Sequence, residues 1–373
     1  MRSTSAALQG ALQGGSFSRQ LLGDVYYGST RVLQDVPIKD WSLNGDIDAE
    51  IKTAGAISIA YTDDFAQSVS PTQLTDALAP FGQEIRLYMV ISAGSVYSER
   101  VPMGVYRIEA APSATDAQMR FQNRVITIGS VVNLTLMDRF YGIRRNQFRS
   151  LEQVGILTSA WGEIGRISGL QLNRNVADVA IPSSTVYGRD RLAAVQTIAS
   201  ILGGRAYMTA DGAISILPDT PGAAVITLEI GEDGVILDVA FSMESQDVYN
   251  NVFGDFEAVD GTPIHSEASI INGPLAVMGP YGYNSVAYPE DQKNFIKTQA
   301  AADTATANRL ALVSTSTSFE LPVQCILDPR VEVGDVVNVQ RMDRLITGRV
   351  KKYTMGRTGP MSLTLGVLND VAY

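Results

Sequence analysis

The chain holds one imidazole, His265, and one thiol, Cys325, among 373 residues. A Ser-His-Asp or Cys-His site would have to be built on His265, because no second histidine exists to act as base. A zinc centre made of several His and Cys ligands is excluded, and so is an intrachain disulfide. No Gly-Lys pair occurs, which removes the Walker A lysine, and neither a GxSxG nor an HExxH pattern is present. His265 stands in Gly261-Thr262-Pro263-Ile264-His265-Ser266, a context that reads as a surface loop. Cys325, inside the apolar run 321–327, reads as a small core hydrophobe. The Gly-rich stretch 273–282 lacks the strand–turn–helix setting of a dinucleotide fingerprint. The sequence therefore predicts no catalytic, metal-binding or cofactor-binding residues and no cofactor.

Two charged clusters remain. Asp46, Asp48 and Glu50 alternate with apolar residues through Ile51, as the wet face of a strand does. Alternate strand residues lie about 6.6 Å apart, so the carboxylates form a row and not a cage. Neither the glycine nor the twelfth-position Glu of an EF-hand follows them. Arg139, Arg144, Arg145 and Arg149 lie beside Phe140, Tyr141 and Phe148. Basic residues interleaved with aromatics can grip single-stranded nucleic acid. The brevity of this cluster in an acidic chain favours an interface or a surface loop.

The net charge is −10, a poor footprint for gripping nucleic acid. A length of 373 residues suggests two to three domains, and 45% hydrophobic residues can fill their cores. The N-terminus lacks the apolar stretch of a secretory signal, so the chain is expected to be soluble and made without export. The longest uncharged span, 268–289, is broken by Gly273, Pro274, Gly279, Pro280 and Gly282 and cannot span a membrane as a helix. With no secretion route, the sequon at Asn133-Leu134-Thr135 reads as chance.

These side chains must be positioned mostly by strands. Period-two runs cover 46–51, 56–61, 85–92, 104–110 and 125–137, punctuated by Pro102, Pro112 and the polar cluster 113–116. In the middle, Leu192, Val195, Ile198, Ala199 and Leu202 make a helical stripe over 190–202, stopped by Gly203-Gly204. A hairpin over 205–217 turns at Asp211-Gly212. Strands return at 225–230, 235–242 after an Asp233-Gly234 turn, and 251–259, followed by a loop over 260–288. A long Ala-rich helix is expected from Pro289 to Leu312, with acids in its first turn. The final strands are 317–327, 331–340, 345–355 and 361–368. The fold class is mainly β, a β-rich α+β chain. Its expected domains are an N-terminal β domain over 1–148, a small α+β insert over 149–222, and a C-terminal β domain with a long helix over 223–373.

In the last third, Tyr249-Asn250-Asn251-Val252 opens a strand and the Ala-rich helix follows. Then come Leu321-Pro322-Val323 and Asp328-Pro329-Arg330-Val331-Glu332-Val333-Gly334-Asp335-Val336-Val337. This order resembles the tail-tip (baseplate) hub family of phages, which includes minor tail proteins of long non-contractile tails. The helix–glycine–hairpin unit at 190–217 is similar to the small α/β insert those hubs carry between two tube-like barrels. The resemblance implies two antiparallel barrels flanking the insert, with Pro329, Gly334 and Asp335 as a structural motif. At 333–336 the residues themselves predict a turn or bulge that glycine adopts cheaply, with Asp335 bonding nearby amides.

The resemblance also implies a non-enzymatic virion protein of the tail tip, synthesised in the host cytoplasm. It would join the tail tube to the distal tip as a homotrimer whose paired barrels ring a DNA channel. Its partners would be a tail tube or distal tail protein, a tape measure protein and a tip fibre, with DNA only in passage and no membrane anchor. Some relatives carry an appended peptidase or glycosidase domain; this chain, ending at Tyr373, reads as hub only. In such a ring Asp46, Asp48 and Glu50 are expected to face the lumen, where negative charge keeps DNA from sticking, although the alternation is equally compatible with an outer wet face. A competing reading is a receptor- or carbohydrate-binding β protein of a tail fibre, although tryptophans for sugar stacking are few, Trp41 and Trp161. A third is a glycan hydrolase built on two facing carboxylates.

Overall fold

Period-two burial sets the first six strands. The computed structural model describes residues 1–372 except 3, 14–16, 62–67, 96, 232–233, 241–247, 294–295 and 316–319. After helix α1 (Ala6–Gln13) come β1 (Ser18–Tyr27), β2 (Thr30–Asp46), β3 (Thr53–Tyr61), β4 (Gln83–Ala93), β5 (Tyr97–Phe121) and β6 (Arg124–Asp138). On β4 the residues Ile85, Leu87, Met89 and Ile91 are fully buried while those between them are not. The strands pair antiparallel in the order β1-β4-β5-β6-β3-β2, and β2 returns to β1, so the sheet closes into a six-stranded barrel. Pro102 and Pro112 do not end a strand as expected. The 25-residue β5 runs through both, and each lies at a register shift, where a proline costs the ladder least.

The insert follows: α2 (Phe140–Arg145), β7 (Glu152–Gln153), α3 (Ala160–Ser168), β8 (Val186–Tyr187), α4 (Arg191–Ile201), β9 (Gly204–Met208) and β10 (Ile214–Pro218). The expected helix and hairpin are both present. Asp190 caps α4 by accepting from the Leu192 and Ala193 amides. Trp161, Ile164, Val195, Ile198 and Ile216 form a separate core that reaches back to Phe140. Helix α3 was not expected from the sequence.

A second six-stranded unit is assembled from β11 (Ile226–Glu229), β12 (Ile236–Val239) and four later strands. Between them the chain builds β13 (Asn251–Glu257), β14 (Pro263–Ser269), β15 (Ser285–Ala287), α5 (Glu290–Lys293) and α6 (Gln299–Thr315). It then adds β16 (Glu320–Cys325), β17 (Val336–Gln340), β18 (Arg344–Gly356) and β19 (Met361–Ala372). The strand order is β11-β17-β18-β19-β16-β12, with β11 parallel to β17. The expected loop over 260–288 thus carries two strands, which pair on β13 in a three-stranded sheet, and His265 lies on β14. The expected helix 289–312 is divided: α6 begins only at Gln299, ten residues after Pro289. Asp233, Ser242 and 317–319 lie outside the described residues.

The two β units are one sheet. Lys352–Gly356 of β18 pairs antiparallel with Ser42–Asp46 of β2, and one hydrophobic core runs from Leu8 through Leu43 and Tyr353 to Leu365. Cys325 sits in that core, and burial pushes its thiol up to about 12.

Candidate functional site

The acidic residues do not form a strand face. β2 ends at Asp46, and 47–51 are the turn into β3. The alternation that suggested a lumen-facing row belongs to a folded-back turn: Asp46 Oδ1 accepts the Asp48 amide at 2.8 Å. The buried Lys52 ammonium donates to the carbonyls of Ile47 and Ala49 at 2.8 and 2.7 Å. Each acid then meets a base from a different part of the molecule. Asp46 pairs with Lys352 of β18 at 3.2 Å, Asp48 with Arg205 of β9 at 2.5 Å, and Glu50 with Arg144 of α2 at 3.1 Å. The turn therefore ties the first barrel to the second unit and to the insert. Although burial opposes it, the Arg205 guanidinium holds Asp48 below the usual carboxylate range.

The basic cluster is likewise divided. Arg139 faces inward, donating to Glu84 of β4 at 2.5 Å and to the Gly212 carbonyl of the insert hairpin at 3.1 Å. Arg144 and Arg145 flank the Tyr141 ring at 5.6 and 5.4 Å. Arg149 is exposed. Beside them is a group that sequence reasoning missed, Asp138 at the end of β6. It is fully buried and accepts the Thr53 and Phe140 amides, both at 2.9 Å, so it fixes the start of β3 and of α2 together. Burial pushes its carboxyl up to about 6, against the pull of those donors. Its signal in the sequence was one acid closing the uncharged run 125–137.

The 328–335 segment is a built turn, and β17 starts only at Val336. Asp328 and Arg330 form a buried two-point ion pair at 3.0 and 2.7 Å. The carbonyls of Pro329 and Val331 accept the buried Arg2 guanidinium at 2.7 and 2.8 Å. Asp335 Oδ2 accepts the Glu332 amide at 2.8 Å, and Oδ1 receives the Met1 amino group at 2.5 Å. Gly334 has φ +85°, and a Cβ there would stand 2.3 Å from Leu217 Cδ1 of the insert. The expected glycine turn and amide-bonding aspartate are both present. Asn250 has a comparable role: its side chain holds the carbonyls of Leu275 and Gly282 and the Asn284 amide, which fixes the glycine-rich 270–284 loop.

Among the described residues no group of three metal-ligating side chains converges. His265 is exposed and bonds Asp255 across the strand pair at 2.6 Å. At the 46–51 turn, Asp138, the 328–335 turn and Asn250, charged and polar side chains hold separate parts of the fold in register.

Neither a protein-family model nor a curated protein sequence matches this chain. Solved structures do. The 43 kDa tail protein of prophage MuSo2 from Shewanella oneidensis is similar with a TM-score of 0.56. That match covers 94% of this chain and 98% of the other at 11% identity. The chain has the fold of a prophage tail protein. A tail protein from Neisseria meningitidis is similar with a TM-score of 0.61, over 94% of this chain and 97% of its own, at 11% identity. A lidless PdpA–VgrG complex contains a chain similar over 94% of this one and 64% of that one, with a TM-score of 0.51 and 10% identity. Agreement along almost the whole length means that this tail-protein fold includes the insert and the α+β segment as well as the two β units.

Proposed function

We propose that the chain is a structural subunit of a phage tail, acting at the tail tip as a hub that joins the tail tube to the distal tip. The observation that carries this reading is the pair of six-stranded β units joined edge to edge through β2 and β18, within a fold shared with a prophage tail protein. Three such subunits present six β units, so a homotrimer matches a sixfold tube on one side and a threefold tip on the other. The shared core keeps the two units of a subunit at a fixed angle, as a ring requires. DNA would pass through the ring without being gripped, which suits a chain of net charge −10. Its partners in this reading are a tube or distal tail protein, a tape measure protein and a tip fibre.

The test is mass in solution. Light scattering on the purified chain, alone and mixed with the tail-tube and distal tail proteins of the same phage, should show a particle built on three 40.1 kDa subunits, about 120 kDa. A chain that stays monomeric in every mixture would overturn the trimeric hub.

A further inference from the structure

A cavity of about 730 Å³ opens where the first barrel's 47–48 turn, the insert, helix α6 and strands β18 and β19 meet. Its volume is that of a pocket for a ligand or a few peptide residues. Four cations line it, Arg205, Arg309, Arg349 and Lys351, against two acids, Asp48 and Asp219. Two of the cations already have carboxylate partners: Arg205 pairs with Asp48, and Lys351 pairs with Glu320 at 2.6 Å. Among the described residues the other two do not. Arg349 donates to the carbonyls of Pro218, Asp219 and Gly334 at 2.6, 3.3 and 3.3 Å, and makes no ion pair among the described residues. Burial first, and then the neighbouring Arg205 charge, pull its guanidinium below the ordinary range. Arg309, half-buried on α6, makes no ion pair among the described residues. With four cations against two acids, the lining carries an excess of positive charge and favours an anionic occupant.

The lining also selects among anions. Stacking on aromatic side chains is a main source of single-strand binding, and no aromatic lines the cavity among the described residues. Phosphate sites use converging amides at helix N-termini. Here the helices contribute the later turns of α6 and Gly203, just beyond the C-cap of α4, so among the described residues no helix N-terminus lines the cavity. A guanidinium fork takes carboxylate and phosphate alike, so the rest of the wall decides between them. The remaining wall is apolar, with Ile47, Pro221 and Leu368 beside the arginines. We propose that this cavity docks an acidic peptide segment of a partner protein, its carboxylates on Arg309 and Arg349 and its apolar side chains against that wall.

The experiment titrates the full chain into a fluorescein-labelled heptapeptide that alternates leucine with glutamate or aspartate, read by fluorescence anisotropy. Saturable binding is expected, weakening as sodium chloride is raised from about 50 to 300 mM. Arg309→Gln should weaken it about tenfold or more, the loss typical of a charged partner. Asn308→Asp, at an exposed position lining the cavity, should weaken it about threefold, and Asp219→Asn should tighten it by a similar factor. Arg120→Gln, outside the cavity, should leave it unchanged. Because Arg349 also holds backbone carbonyls, the Arg309 and Asn308 variants carry the test if Arg349→Gln does not fold. The proposal is overturned if the peptide shows no saturable binding at low salt, or if binding is indifferent to Arg309→Gln and Asn308→Asp. It is equally overturned if labelled oligothymidylate or inorganic phosphate binds through the same arginines more tightly than the peptide.

Discussion

Replacing Gly334 by alanine tests the joint between the insert and the second β unit. Two costs add at this residue. With φ at +85°, a non-glycine residue carries about 1–2 kcal/mol of backbone strain. The new Cβ would also stand 2.3 and 2.4 Å from the two Cδ atoms of Leu217, which must move or be displaced. Overpacking of that kind costs about 1–3 kcal/mol, so the single variant should lose about 2–5 kcal/mol. Leu217→Ala alone should lose less than a fully buried leucine does, about 1–2 kcal/mol, because Leu217 is only half-buried. In the double variant the added methyl has room, and only the strain and the lost leucine remain. The two changes should then be non-additive by about 1–3 kcal/mol in the favourable direction. Urea unfolding followed by fluorescence reads the insert through Trp161 and the core shared by the two β units through Trp41, both buried. A Gly334→Ala midpoint equal to that of the parent would refute the strained turn. Full additivity would refute the contact with Leu217.

Asp138 makes a pH-dependent contribution of opposite sign to the usual carboxylate. Its folded value of about 6 lies above the unfolded value near 3.9, so the folded state holds the proton longer and stability falls as pH rises through that window. The full span corresponds to about 3 kcal/mol, and Asp138→Asn, which cannot ionise, should gain on the parent by up to that amount between about pH 4 and 6.5. Denaturation midpoints of the pair across that range check it, and parallel curves would show that Asp138 does not titrate there. Changing Asp46, Asp48 and Glu50 together to lysine should destabilise the chain, because each would face Lys352, Arg205 or Arg144. The pairs are partly exposed, so about 1–3 kcal/mol is expected in total, shrinking at high salt. An unchanged melting temperature at low salt would show that the turn does not tie the parts together.

The elements that were legible in the sequence are those whose signal is local. Helix α4 combines a continuous apolar stripe with a stop at Gly203, both where the residues placed them, and the structure adds the Asp190 cap. The turn at Gly334-Asp335 was equally readable, since a positive φ and an amide-bonding aspartate are properties of neighbouring residues. Helix α3 was hidden because Gly162 and Gly165 lower its intrinsic preference. It is held by the Ser159 cap and by burial of Trp161, Ile164 and Ile167. β14 was hidden by Gly261 and Pro263, which read as loop residues, and its partner β13 had to be known before it could be placed. The long-range pairs were out of reach altogether: nothing near Asp48 in the chain announces Arg205, and nothing near Glu50 announces Arg144.

The acidic alternation at 46–51 shows how a correct local pattern acquires a different meaning from topology. β2 is 17 residues long, enough to serve two partner strands in succession: it pairs with β1 up to Pro37 and with β18 from Ser42. One strand thereby closes the first barrel and covers the edge that would otherwise be exposed beside the second unit, where unpaired backbone groups invite association with other chains. The arrangement is close-fitting. A Cβ on Gly45 would stand 2.4 Å from the Tyr353 ring and 2.8 Å from Val333, so glycine is what lets the two units approach. Immediately beyond this contact the chain must reverse into β3. The reversal falls where barrel, insert and second unit converge, and a bare hydrophobic turn there would leave Lys352, Arg205 and Arg144 without partners. Three acids in six residues answer three bases from three different elements. The row reads as a wet strand face only while its partners, between 94 and 306 residues away in the chain, are unknown.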